Sequence, residues 1–198
     1  ERRGFLMLLD GAKNLPSSIY IRYQLAFLLE KRAILGSSFK QTFIRNFLND
    51  TEVQSRFQRE LGVKTKISPF EAGARFYDAA IKIMKERGIR RVKSQVGIFI
   101  YEYTTQLSKA TLLLYEGIRR WLESSRFSEG TPWFHQYAAQ VALLKKEFSD
   151  YIPDYTLELH TNLARELIAL KDYDSLGAAA KIQRLRQLLF RYTFDSKF

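Results

Sequence analysis

The sequence predicts an all-α protein, a compact bundle of about seven to eight helices with short connections and one long central helix. Apolar residues recur at helical spacing along most of the 198 residues, and Gly, Pro and capping side chains stand where one helical pattern gives way to the next. With 46% hydrophobic residues, 15 Phe and 11 Tyr, the chain can bury a substantial core. This length fits a single helical domain over residues 1–198, and any weak seam is expected near 124–132.

In the first half of the chain, capping side chains and glycines delimit the helices. The predicted helices cover 19–35, 39–48, 51–61 and 69–87. The residues that can cap their N-termini are Ser17-Ser18, Ser37-Ser38, Asp50 and Ser68, and the glycines that can end three of them are Gly36, Gly62 and Gly88. Phe39, Phe43 and Phe47 fall four residues apart and form one apolar stripe. The sharpest boundary is Ser68-Pro69-Phe70-Glu71, a capping box with proline at the first helical position.

A long helical pattern over 91–125 predicts the central helix. Within it, residues 96–103 are rich in β-branched and aromatic side chains and include Gly97, so a strand is the alternative for that piece. No partner strand is evident elsewhere, and the sequence leaves open whether the helix is continuous. The remaining predicted helices cover 131–149, 154–171 and 175–192, the last being amphipathic with Lys181, Arg184 and Arg191 on its polar side.

Positive charge is concentrated in the first half of a chain whose net charge is +11. Residues 1–99 carry 19 Lys+Arg and 9 Asp+Glu, whereas residues 100–198 carry 13 and 12. The densest stretch, 82–93, holds six cations and only one acid, Glu86. Such a concentrated positive field attracts polyanions and speeds their capture.

We therefore predict a polyanion-binding surface whose cations neutralise phosphates without reading sequence. The candidate residues are Lys64, Lys66, Lys82, Lys85, Arg87, Arg90, Arg91 and Lys93. The helix macrodipole alone favours Lys85 and Arg87 near a helix C-terminus, but it does not explain the three cations that follow Gly88. Two alternatives stay open for the counter-charge, namely acidic residues in the second half of this chain or an acidic protein partner.

Aromatic residues near these cations could stack on unpaired bases, although core packing is the favoured role for them. The residues concerned are Phe76, Tyr77, Tyr101 and Tyr103. A helix-turn-helix is not expected, because the connection 62–68 is longer than the usual turn. The helix after it also begins with Phe70, Ala72 and Gly73, whose side chains cannot hydrogen-bond base edges.

The sequence offers no recognisable catalytic or cofactor motif. It has no Cys, which excludes disulfides, thiolate nucleophiles and cysteine-based metal sites, and its only histidines are His135 and His160. Asp172 and Asp174 could touch a metal, but in an inter-helix turn they are expected to cap the last helix. We therefore predict no enzyme activity, no cofactor and no bound metal.

The predicted function is that of a non-enzymatic basic module that binds a polyanion, above all nucleic acid through its phosphate backbone, within a larger assembly. The alternative is a helical scaffold or adaptor subunit that docks on other proteins. Peripheral contact with an acidic membrane surface, through the amphipathic last helix, is a third alternative. No transmembrane segment is expected, because no apolar stretch of 18 uncharged residues exists. The compartment is unknown, although a soluble intracellular protein is expected, and the missing initial Met suggests a processed chain or a fragment.

Overall fold

Helices account for most of the structure, as the sequence predicts. The computed structural model describes residues 2–34, 41–94 and 96–192, and these contain nine α-helices, one short 3₁₀ helix and one two-stranded hairpin. The all-α fold class is therefore confirmed. The chain packs into two compact units, residues up to Leu112 and residues from Leu113 onward, and the boundary between them falls within one helix.

The first unit is built around two long helices that pack along each other. Its elements are α1 (Arg2–Asn14), α2 (Ile19–Ile34), α3 (Gln41–Asn49), α4 (Thr51–Leu61), α5 (Pro69–Glu86), β1 (Arg91–Lys93), β2 (Phe99–Tyr101) and the first half of α6 (Glu102–Ser124). The most extensive contact joins α2 to α5. Leu25, Leu29 and Phe76 are buried in the core of this unit, and Phe57 meets Phe76 edge-on at 5.7 Å between ring centroids.

Two helices of this unit begin at the capping side chains that the sequence indicated. At the start of α4, Asp50 Oδ1 accepts a hydrogen bond from the backbone N–H of Val53 at 3.0 Å. At the start of α5, Ser68 Oγ accepts one from the backbone N–H of Glu71 at 3.1 Å. Gly62 ends α4 in the left-handed conformation, with φ at 66°. The predicted features that lie outside the described residues are Gly36, Ser37-Ser38 and Phe39.

The predicted helix over 91–125 is wrong in its first part. β1 and β2 form an antiparallel hairpin with Val92 opposite Ile100, and α6 begins only at Glu102. The cause is the β-branched and aromatic content of this segment together with Gly97, whose φ of 81° does not fit a right-handed helix. The partner strand was not evident because β1 is three residues long and two of the three are charged.

The N-terminal helix α1 has no counterpart among the predicted helices. It buries Phe5, Leu9 and Ala12, whose spacing of four and three residues places them on one helical face. This face packs α1 against α2 and α4. The stripe is only three residues long, and no capping side chain marks the start of the helix, so this pattern was too short to predict α1.

The second unit packs around the fully buried Trp121. Its elements are the second half of α6, α7 (Phe127–Phe148), α8 (Asp154–Ala169), a 3₁₀ helix (Lys171–Ser175) and α9 (Ala178–Tyr192). α7 begins at Phe127 rather than at the predicted position 131. A distant side chain caps it, because Asp174 accepts a hydrogen bond from the backbone N–H of Phe127. The prediction that Asp174 caps the last helix is therefore wrong.

Candidate polyanion-binding surface

The segment after α5 turns sharply, and apolar residues hold it against the first unit. Gly88 adopts a φ of 64°, which ends α5 and redirects the chain toward β1. Ile89 and Val92 then pack against a buried cluster that includes Ile19 and Met84. Because these apolar side chains face inward, the charged side chains that alternate with them face solvent.

All eight predicted binding residues are exposed, but they fall into two groups. Lys64 and Lys66 lie in the loop before α5, and the other six lie at or beyond its C-terminal end. α5 has 18 residues, and a helix of that length separates its two ends by about 27 Å. The structure therefore does not bring the two groups together. The second group, here called the basic end cluster, consists of Lys82, Lys85, Arg87, Arg90, Arg91 and Lys93.

The helical members of the basic end cluster have partners within the first unit. Lys82 Nζ lies 3.9 Å from Glu86 Oε1 one turn further along α5, and this exposed pair contributes little to stability. Lys85 Nζ lies 3.8 Å from Oε1 of Glu102, a buried carboxylate. Arg87 Nη2 donates a hydrogen bond to the carbonyl oxygen of Ser17 at 2.8 Å. Lys85 and Arg87 thus have structural roles as well as exposed charge.

The described acidic residues of the first unit already have partners within that unit. Every acidic residue that the structure describes up to Leu112 contacts a partner: Asp10 with Arg56, Glu30 with Tyr77, Asp50 and Glu52 with Arg2, Glu60 with Arg22, Glu71 with Arg75, Asp78 with Lys109, Glu86 with Lys82 and Glu102 with Lys85. Within the described residues, Lys64, Lys66, Arg91 and Lys93 form no ion pair. Internal salt bridges therefore do not account for these four cations.

The hairpin presents cations and aromatic rings on one face. Successive residues of a strand point to opposite sides, and the buried Ile100 fixes which side faces the core. Lys93 is paired with Phe99 and Arg91 with Tyr101, so all four lie on the outer side. Arg91 Cζ and Lys93 Nζ lie 5.6 Å and 5.9 Å from the centroid of the Phe99 ring, close enough for cation–π attraction.

The turn of the hairpin is held by hydrogen bonds around Ser94. Its N–H donates to the carbonyl oxygen of Ile98 at 2.7 Å, and its Oγ accepts from the N–H of Ile98 at 3.1 Å. Gly97 N–H donates to the carbonyl oxygen of Ser94 at 3.0 Å. Two aliphatic side chains project from this turn, Val96 at 67% and Ile98 at 62% exposure.

The aromatic residues named from the sequence divide between the core and the surface. Phe76 and Tyr77 are buried, so core packing is confirmed for them. Burial raises the pKa of Tyr77, and its hydroxyl donates to Glu30 Oε2 at 2.6 Å. Tyr101 and Tyr103 are half-buried beside the hairpin. Phe99, which is 44% exposed, was not predicted to lie on this surface because a helix was predicted there. Its alternation with Tyr101 was the available signal.

The two histidines, the candidates for catalysis or metal binding, have different surroundings. His160 is buried on α8, where its Nδ1 lies 2.8 Å from the Tyr137 hydroxyl, and burial lowers its pKa to about 4. His135 is exposed. Among the described residues, no group of three or more His, Cys, Asp or Glu side chains is arranged to hold a metal ion. Over the same residues, no helix is long and apolar enough to cross a membrane.

Comparison with known proteins gives no relative on which to base a function. No protein-family model, no curated protein and no solved structure matches the chain. The fold and the site therefore define this protein only as an all-α protein with an exposed, partly unpaired basic surface in its first unit.

Proposed function

We propose that this chain is a non-enzymatic helical module that binds a polyanion, nucleic acid through its phosphate backbone, within a larger assembly. The observation that supports this function is the set of exposed cations that no carboxylate neutralises within the described residues. Arg91 and Lys93 are the best examples, because they lie on β1, beyond the reach of the α5 macrodipole. Like charges held together without a counter-charge repel one another, and a phosphate backbone relieves that repulsion.

The proposed contact is electrostatic and independent of base sequence. Lys and Arg side chains on phosphates release condensed counterions, so affinity falls steeply as salt rises. The basic end cluster carries the main contacts in this proposal. Lys64 and Lys66, at the other end of α5, make additional contacts with a polyanion long enough to reach both groups.

The first test is charge reversal in the basic end cluster. The triple variant Lys82→Glu, Arg91→Glu, Lys93→Glu removes three cations that do not support buried groups. In fluorescence-anisotropy titrations with labelled oligonucleotides, we expect it to bind at least about tenfold more weakly than the wild type at low salt. The slope of log affinity against log salt should also fall by about one per lost phosphate contact.

A matched control distinguishes the effect of the basic end cluster on binding from the effect of net charge. The triple variant Lys145→Glu, Lys146→Glu, Arg186→Glu alters three exposed cations of the second unit and changes the net charge by the same amount. We expect it to retain most of the affinity and of the salt slope. Equal losses in both variants would mean that binding follows net charge alone and would contradict a specific surface.

One observation favours the alternative function, a helical scaffold. In the second unit, α7 and α8 border an open groove of about 440 Å³, whose apolar lining includes Ala138, Val141 and Ala164 and whose edges carry Lys145 and Arg165. An amphipathic acidic helix has the shape and charge for such a groove. Binding to an apolar groove persists at high salt, so salt-resistant association in analytical ultracentrifugation would favour the scaffold over polyanion binding.

A further inference from the structure

We infer that the outer face of the hairpin binds single-stranded nucleic acid, with unpaired bases stacked on its aromatic rings and phosphates held by its cations. The residues of this face, here called the basic-aromatic face, are Arg91, Lys93, Phe99 and Tyr101. This inference rests on the proposed function and makes it specific, because it names single-stranded nucleic acid as the substrate class and the hairpin as the site of base contact.

The core leaves a large part of the Phe99 ring exposed. Its neighbour Ile100 is buried, so the hairpin docks on the first unit through its opposite side. Phe99 itself is 44% exposed, although burying an aromatic ring is among the larger favourable contributions to folding. The exposed part of this ring is therefore accessible to a ligand.

A row of aromatic rings lies next to the cations. The Phe99 and Tyr101 ring centroids are 6.1 Å apart, and Tyr103 follows at 5.4 Å from Tyr101. Successive bases of a single strand stack on such rings, and every base has a face that can do so. Arg91 and Lys93 lie within 6 Å of the Phe99 centroid, so a base that displaces them from the ring brings its flanking phosphates within reach of both cations.

The basic-aromatic face discriminates between single and double strands in this proposal. In a duplex the base faces are covered by their neighbours, and only the phosphates and groove edges are accessible. A duplex can therefore contact Arg91 and Lys93 but cannot use Phe99. The ring adds affinity only for unpaired bases, and it adds no charge, so it leaves the salt dependence unchanged.

Hydrogen bonds around Ser94 and apolar packing beneath the strands favour the hairpin conformation before a ligand binds. The hydrogen bonds of Ser94 hold the turn, and Val92 packs on the buried cluster beneath it. A site that is ordered before binding loses less conformational freedom on binding.

The observations favour nucleic acid over a lipid surface. Val96 and Ile98 are the aliphatic side chains that project from the turn, and they could enter a bilayer. Together they bury less hydrocarbon than a single myristoyl chain, which alone gives only marginal membrane binding. The rings and cations, by contrast, share one face of the strands, as base and phosphate recognition requires.

The test replaces the flat ring while keeping apolar bulk. Phe99→Leu removes base stacking but retains hydrocarbon, and Phe99→Tyr restores the ring. We expect Phe99→Leu to bind labelled single-stranded oligothymidylate about tenfold more weakly than the wild type. Its affinity for a duplex of the same length and its salt slope should not change, and Phe99→Tyr should bind like the wild type. Tyr155→Leu, at a 68% exposed ring on α8, is the matched control and should have no effect.

The possible results separate this inference from the proposed function. If the wild type binds both oligonucleotides and Phe99→Leu binds the single strand equally well, the inference is overturned while polyanion binding stands. If the wild type binds neither oligonucleotide at low salt, both proposals fail. If phosphatidylserine vesicles bind the wild type and Phe99→Leu alike, and single-strand affinity is the same in both, the protein binds acidic lipid without the Phe99 ring and the inference is overturned.

Discussion

Lys181 illustrates what helical spacing cannot reveal about a single residue. The sequence places it on the polar side of the last helix, yet its side chain is 1% exposed. Its ammonium group donates to the carbonyl oxygen of Ser125, which lies 56 positions earlier and has a positive φ of 56°. A buried cation needs such a partner, and no local pattern identifies one that distant. The cap that Asp174 provides to α7 escaped prediction for the same reason.

His160 gives a residue-scale prediction about stability and pH. Burial lowers its pKa to about 4, below the value of about 6.5 expected in the unfolded chain. Protonation therefore favours the unfolded chain, so the stabilisation is complete above about pH 6.5 and is lost as the pH falls toward about 4. Between about pH 7 and about pH 5, we expect the free energy of unfolding to fall by about 2 kcal/mol on account of this residue.

Urea unfolding at the two pH values checks this prediction. In His160→Gln the fall in unfolding free energy between them should largely disappear, although the variant is less stable at neutral pH because it loses the contact with Tyr137. His135→Gln, which alters the exposed histidine, should keep the wild-type pH dependence. The same pH dependence in His160→Gln as in the wild type would contradict the assignment.

At the scale of elements, helix boundaries were predicted correctly where a capping side chain marks them. Asp50 and Ser68 cap the helices that the sequence assigned to them, because a capping side chain bonds backbone groups only a few residues away. The hairpin was not predicted because strand pairing depends on two segments at once. One of them, β1, is only three residues long and two of these residues are charged. The predicted binding residues are all exposed. They fall into two groups because the length of α5 separates them, and that length could already be predicted from the sequence.

The approach of α6 to α7 gives a prediction at this scale. A Cβ on Gly130 would lie 2.5 Å from the carbonyl oxygen of Gly117 and 3.2 Å from Phe134. Gly130→Ala should therefore destabilise the protein by about 1–3 kcal/mol through overpacking, although alanine is the better helix former. Gly4→Ala is the control, because a Cβ there meets nothing within 4 Å in α1, and it should be neutral or stabilising. Thermal or urea unfolding measures both, and a Gly130→Ala variant as stable as the wild type would refute the close contact.

At the scale of the whole molecule, the charge follows the division into units. Residues 1–112 carry 20 Lys+Arg and 10 Asp+Glu, whereas residues 113–198 carry 12 and 11. The described acidic residues of the first unit already contact partners. The excess cations of this unit therefore repel one another and raise its electrostatic free energy. On the proposed function, the cations that bind a polyanion thereby lower the stability of the unit that carries them.

The repulsion among first-unit cations predicts different effects on stability for the same change in net charge. At low salt, Lys64→Gln, Lys66→Gln, Lys82→Gln should raise the free energy of unfolding by about 0.5 kcal/mol. The triple variant Lys145→Gln, Lys146→Gln, Arg186→Gln removes three cations from a nearly neutral unit and should leave it unchanged or slightly lower. Urea unfolding with and without added NaCl measures both, and the difference should vanish at high salt because exposed charges are screened.

Equal effects of the two triple variants would mean that the repulsion is not concentrated in the first unit. A first-unit variant that is more stable and also binds nucleic acid more weakly would have a single physical explanation. The cations that destabilise the free protein would then be the ones that a phosphate backbone neutralises, because surfaces used for binding are commonly maintained at the expense of stability.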